Sequence, residues 1–349
     1  MAPTSLIDSH IHLWPEEASN ENGHSWMTPG MPLAKQHVLS DYYQASESNA
    51  DSSPKLEGVV YVETDRRYDT PTEDLATWAK GPLDEVIFVR DIVEGKYGER
   101  DSKMLLGIVL WAPMDQRPEV LEEWLKLAEK TAGPETWKRV KGFRFLLQAI
   151  HDKSKFRHLV LSEDFITNLR MLGMAGFSFD IGVDQRSGGA EQLELIFQTM
   201  ELAHEKATPE EKVTLVINHL CKPDFSNATG FKEDVDFYRW RQAVEKMSHC
   251  AKTYMKLSGA FSELPQRPGQ ETDVAGAVRP WVQHVFKHFE PGRVMFGSDW
   301  PVCNVNGPVE GSPWAKWVAT VDKLVRELVE PEKQEYVWSR TARDAYRLQ

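Results

Sequence analysis

Short apolar runs alternate along this chain with longer stretches in which apolar residues recur every three or four positions. The runs are Ser5–Ile11, Gly58–Glu63, Leu105–Trp111, Val140–Phe145, Phe177–Val183, Val213–Asn218, Thr253–Leu257 and Val294–Gly297. Each is nearly continuous in hydrophobicity, which suits a strand buried on both faces of a parallel sheet. Between them, Glu119–Lys130 follows Pro118 and sets Leu121, Trp124, Leu125 and Ala128 along one helical face. Glu163–Leu172, Gln192–Ala207, Asp236–Ser248 and Pro280–His288 carry similar helical patterns. Strands alternating with helices predict right-handed βαβ units and an α/β fold. Eight such units would close a (β/α)8 barrel, and an open doubly wound sheet is the rival.

No composition break divides residues 1–349, so one domain is expected, since such barrels run to about 250 residues or more as a unit. The polar segment Pro15–Pro54 follows the first strand and reads as a long loop or lid, of the kind that builds a site at a barrel's C-terminal face. Leu264–Thr272, with Pro265 and Pro268, reads as a second long loop. The tail Pro313–Leu348 is expected to be helical and to pack outside the barrel. Formal net charge is −12, which argues against nucleic acid or an anionic membrane surface as partner. No apolar run approaches the ~20 residues that span a bilayer. With no signal-like start and three scattered cysteines, a reducing cytoplasm is the expected compartment. No apolar stripe marks an oligomer interface.

Candidate chemistry gathers at strand ends. In Asp8-Ser9-His10-Ile11-His12, alternate residues share a face, so His10 and His12 point together into the barrel mouth. Two adjacent imidazoles can hold a divalent metal or an anionic oxygen, although His-x-His also occurs without function. His219 closes an apolar run in Asn218-His219-Leu220-Cys221-Lys222-Pro223, where it is either a site residue or a satisfied core histidine. Lys222 beside it is either surface charge or a carbonyl polariser. Asp299, in Gly297-Ser298-Asp299-Trp300-Pro301, is poorly explained by packing, because a buried carboxylate is costly unless paired. It suits a general base toward water; an Asx turn or a helix cap is the alternative.

Taken together, these segments resemble the amidohydrolase superfamily, specifically the amidohydrolase 2 branch of sugar-lactone hydrolases. Gly107–Pro113, Lys141–Gln148, His219–Pro223 and Lys256–Gly259 stand in matching order between the opening and closing motifs, so the resemblance covers nearly the whole chain. It implies a distorted TIM-like (β/α)8 barrel that opens a sugar-acid lactone, such as L-rhamnono-1,4-lactone. Asp299 would activate water, His10, His12 and His219 would hold a metal or the lactone oxygens, and Arg144 would bind a substrate oxygen.

Two departures bear on metal. Strand four carries Arg144 where metal-dependent members usually have Lys or Glu, and strand five carries Asp180 in place of a His. A two-metal centre is therefore not expected. One divalent ion (zinc) on His10, His12 and Asp299, and a metal-free route in which Arg144, Lys222 and His219 stabilise the oxyanion, both stay open. Cys221 replaces a glycine usual in the branch. Substrate contacts are expected from Glu63, Trp111, Gln148, Asp180 and Lys256, with Trp14, Trp26 and Trp300 as candidates to cover a polyhydroxylated ring. A zinc-dependent decarboxylase of the same superfamily and a non-catalytic binding barrel are the competing readings.

Overall fold

The computed structural model describes residues 5–47, 54–225, 234–264, 273–307 and 311–349. Its eight strands are β1 (Ser5–Ile11), β2 (Lys55–Val62), β3 (Leu105–Trp111), β4 (Val140–Arg144), β5 (Ser178–Ile181), β6 (Thr214–Ile217), β7 (Thr253–Leu257) and β8 (Val294–Phe296). They pair in parallel in sequence order. Just past β8 the ring closes on β1: the Asp299 amide donates to the His10 carbonyl at 2.9 Å, and the His12 amide to the Trp300 carbonyl at 2.7 Å. The barrel, and not the open sheet, is the observed fold. Helices intervene between successive strands, among them Lys80–Val93, Pro118–Trp137, Glu163–Met174, Ala190–His204, Val235–Ser248 and Val274–His288. The helix foreseen over Glu119–Lys130 continues to Trp137 across a break at Gly133, whose φ is +72°.

Alternate strand positions divide the apolar residues into two layers. Val59, Tyr61, Ile108, Leu110, Leu215, Ile217 and Phe296 face the helices in the larger core. Ile7, Val60, Val62, Val109, Val216 and Met295 point the other way, into the barrel.

The tail differs from expectation in an informative way. Helix Pro313–Leu328 does lie outside, but Thr341–Tyr346 turns beneath the strands. Ala342, Ala345, Tyr346 and Leu348 join the interior layer and plug the barrel's N-terminal end. Arg347 donates to the Lys141 carbonyl and Arg343 pairs with Glu57, both near strand starts. The segment moves inward because the ring of apolar side chains would otherwise face water there.

The expected lid is anchored. Trp14, Ala18, Met27 and Leu33 form a satellite core, the Trp14 and His37 backbones bond reciprocally, and a helix runs over Leu39–Ser46. Residues 48–53 of that segment, and most of the second foreseen loop (265–272), lie outside the described residues. No helix among the described residues is long and apolar enough to cross a membrane.

Candidate active site

The β1–β2 register shifts between Asp8 and Ile11, and the end of β1 delivers both histidines to one point. The Nε2 atoms of His10 and His12 stand 3.1 Å apart. His12 Nδ1 lies 2.8 Å from the Val62 carbonyl, which can only accept, so its proton sits on Nδ1 and its Nε2 lone pair faces inward. Asp299 approaches from the β8 side. Its Oδ1 is 3.6 Å from His10 Nε2, 3.5 Å from His12 Nε2 and 3.8 Å from His219 Nε2. His219 is oriented by Ser258, whose Oγ lies 2.9 Å from His219 Nδ1 and accepts from the His219 amide. Gly259 makes room for this ring: a Cβ there would sit 2.7 Å from the His219 Cγ and Nδ1.

Burial governs the charges. It pushes Asp299 upward, but His219, His12 and Lys222 outweigh it and hold the carboxyl at about 2, so it is ionised at neutral pH. Burial lowers His219 to about 3 and takes His10 well below its ordinary value, leaving both rings neutral. The cluster is thus a buried anionic carboxylate facing the neutral rings of His10 and His219.

A second polar group lies beside it, across the ends of β2 and β4. The Arg144 guanidinium pairs through Nε with the Glu63 carboxylate, and its Nη2 donates to the Glu63 carbonyl at 2.6 Å. Glu63 Oε2 also accepts from the Asp65 amide at 2.6 Å. Burial, with Glu63 adding to it, pushes Asp65 up to about 7. Asp65 lines a cavity of about 520 Å³ together with Glu21, Ser25, Arg66, Tyr68 and Phe145. That volume falls in the range of small-molecule sites. The cavity adjoins the Glu63–Arg144 pair in sequence, Phe145 following Arg144 and Asp65 lying two residues past Glu63.

The other expected site residues divide. Asp180 and Lys256 are fully buried and bonded to each other at 2.7 Å, with Lys256 Nζ also 3.1 Å from His10 Nδ1. Through Lys256 the pair reaches His10 from the barrel interior. Trp111 packs against Tyr68, Trp78 and Trp124 between the strands and the helices, which removes it from the expected substrate contacts. Trp300 packs against His37 and Tyr42, an anchor of the lid. Gln148 directs a buried, unpartnered Oε1 toward Gly182 at the end of β5. Lys222 lies 3.3 Å from Glu263, which also pairs with Arg186. Sequence reasoning missed the roles of Ser258, Asp65 and Tyr346. Ser258 stood inside a quoted motif, whereas nothing local marks a hydroxyl near position 346 as a barrel residue.

His10, His12 and Asp299 form the one group among the described residues with metal-ligand geometry. Donors on tetrahedral zinc at ~2.0–2.1 Å stand about 3.3 Å apart, and the 3.1–3.6 Å separations here match that spacing.

A model of the amidohydrolase family (Amidohydro_2) matches residues 7–348. An L-rhamnono-gamma-lactonase of Scheffersomyces stipitis is 32% identical over 339 residues, 93% of each chain. An L-fucono-1,5-lactonase of Burkholderia multivorans is 23% identical over 98% of this chain and 96% of that one. A crystal structure of an amidohydrolase from Burkholderia multivorans with bound zinc superposes with a TM-score of 0.73 at 22% identity, covering 99% of this chain and all of the other. Since the family model takes in every strand and the whole polar cluster, this chain belongs to the amidohydrolase family.

Proposed function

We propose that this chain hydrolyses a sugar-acid lactone, with L-rhamnono-1,4-lactone the first candidate. The observation that carries this reading is the ionised Asp299 within 3.8 Å of three histidine Nε2 atoms at the C-terminal mouth of the barrel. A lactone opens when water attacks its carbonyl carbon, the carbonyl electrons collect on oxygen, and the ring oxygen leaves with a proton. Asp299 takes the proton from water, the histidines hold it in line, and Asp299 returns that proton to the ring oxygen as the carbon–oxygen bond breaks. Arg144, whose Nε and Nη2 are fixed by Glu63, keeps Nη1 for the carbonyl or a hydroxyl oxygen. The cavity beside Asp65 and Arg66 receives the polyhydroxylated remainder. Lys222 sets the field at Asp299 from the rim.

The donor set fits one divalent ion, held by His10, His12 and Asp299 with His219 beside them. Such an ion, zinc first, would polarise the carbonyl and lower the pKa of bound water. A cytoplasmic setting accords with three free cysteines, two of them buried. Support for a lactone over a carboxylic acid that loses CO₂ comes from the names of the curated relatives.

A panel of aldonolactones followed by acid release tests the reading, using as-purified, chelator-treated and zinc-restored protein. Turnover of at least one lactone is expected. Asp299→Asn should lower kcat by about 10²–10⁴-fold, the usual share of a general base, with the fold intact. A panel that stays silent, or an Asn variant of undiminished rate, would overturn it.

A further inference from the structure

We infer that Tyr346, on the plug beneath the barrel, is a positioning residue for His10 and acts through Asp180 and Lys256. The inference rests on the lactonase reading for the rate it affects, but not for the geometry it describes. The Tyr346 hydroxyl lies 2.9 Å from each oxygen of Asp180. Asp180 Oδ2 accepts from Lys256 Nζ at 2.7 Å, and the same Nζ stands 3.1 Å from His10 Nδ1. The series ends where His10 Nε2 meets His12 Nε2, beside Asp299. All of its side chains are buried.

The polarity of these bonds is consistent from one end to the other. Tyr346 and Lys256 donate to the Asp180 carboxylate, and Lys256 turns a further N–H to His10 Nδ1. With no ion bound, His10 therefore carries its proton on Nε2 and donates it to the lone pair of His12, whose own proton goes to Val62; an ion on His10 Nε2 would take that proton's place. The Tyr346, His10 and His12 donors each find an acceptor, and Lys256 finds two.

The surroundings make this arrangement consequential. Val60, Val62, Val109, Val216 and Met295 line the lumen around these groups, so a bond lost there leaves a polar atom facing carbon. Lys256 is a flexible side chain in an apolar lumen, and Asp180 fixes its direction. Asp180 in turn is held by the Tyr346 hydroxyl, and the Lys256 ammonium also lies 5.2 Å from the Tyr346 ring centre. Ala342, Ala345 and Leu348 fill the rest of the plug with carbon, so a purely space-filling role would need no hydroxyl at position 346.

Tyr346→Phe keeps the ring and removes the hydroxyl. Three readouts are combined on the full-length protein: kcat and KM on the best lactone with the as-purified protein, the ¹⁵N shifts of the His10 ring after chelation, and the melting temperature of both forms. A kcat lower by about 10-fold, a KM within twofold, and His10 shifts that move toward a tautomer mixture are expected. A lower melting temperature with kcat and the His10 shifts unchanged means a filler only and overturns the inference. Should Tyr346→Phe fail to fold, the unaltered protein still decides: a His10 proton found on Nδ1 overturns it, and one found on Nε2 supports it. The ¹⁵N readout needs no substrate, so absence of lactone turnover defeats the proposed function without touching this test.

Discussion

At the scale of single residues, the site is built on backbone that few side chains adopt. His219, Leu220, Cys221 and Lys222 have φ values of 55°, 53°, 64° and 44°, and Asp299 has 61°. Non-glycine residues in this region cost on the order of 1–2 kcal/mol each, so other contacts must hold the turn. The Trp240 indole does so by donating to the Leu220 carbonyl at 2.7 Å. Cys221 is fully buried within this turn. Burial pushes its thiol up to about 12, so it is inert as a nucleophile and serves as packing. Gly259, at φ +68°, faces the turn with no space for a Cβ against the His219 ring. Gly259→Ala is expected to displace His219, cost about 1–2 kcal/mol in the left-handed region, and lower kcat by about 10-fold or more. Steady-state kinetics beside urea unfolding checks this, and a fully active, equally stable variant would refute it. The sequence singled out His10, His12, His219 and Asp299 as strand-end candidates, and the structure brings them together, although His219 by itself read equally as a core histidine. The sequence misdirected Trp111, because an aromatic at a strand end looks alike whether it faces ligand or helix.

Among the elements, Asp8 is where several meet. Its carboxylate accepts from Tyr42 of the lid helix at 2.8 Å, from Trp314 of helix Pro313–Leu328 at 3.2 Å, and from the Ser298 amide at 2.8 Å. That amide directly precedes Asp299, so β1, the lid, the outer helix and the β8 loop share one buried acceptor. Asp8→Ala removes the carboxylate acceptor of the Tyr42 hydroxyl and of the Ser298 and His10 amides, while Trp314 keeps the Tyr42 oxygen at 3.2 Å, so at about 1–3 kcal/mol per stranded donor a loss of about 3–5 kcal/mol is expected. The urea midpoint should fall accordingly, and a midpoint within experimental error of the parent would show that the hub does not bind these elements together. The strands were legible because their continuous apolar runs have no other good solution in a βα repeat. Their ends were less so: β2 begins at Lys55 rather than Gly58, and β5 covers only Ser178–Ile181. Pairing with the neighbouring strand, not local composition, decides where a strand starts.

Across the whole molecule, buried histidines couple stability to pH. Burial lowers His24 to about 3, and His37 and His284 to about 4. His24 uses both nitrogens, on the Ala18 carbonyl and the Thr64 hydroxyl, each at 2.8 Å. In the unfolded chain each titrates near 6.5. Between pH 6.5 and about 4 the unfolded state therefore binds protons that the folded state does not, and stability falls as pH falls. Each group contributes a slope of about 1.4 kcal/mol per pH unit in that window. Urea unfolding at pH 7, 5.5 and 4.5 should show a steep decline, shallower in His24→Asn. A flat profile would mean these rings are not held neutral.

The sequence by itself determined the alternation of strands and helices, the barrel this implies, and the strand-end histidines and carboxylate that cluster at its mouth. Those properties follow from local periodicity, since the period-2 pleat places His10 and His12 on one face wherever the strand sits. Tertiary structure alone decided which groups meet. Tyr346 reaches Asp180 across 166 positions, and Asp8 meets Trp314 across 306. No repeat or composition encodes such pairs, because they arise only when ring closure leaves a lumen to be plugged and a buried charge to be satisfied.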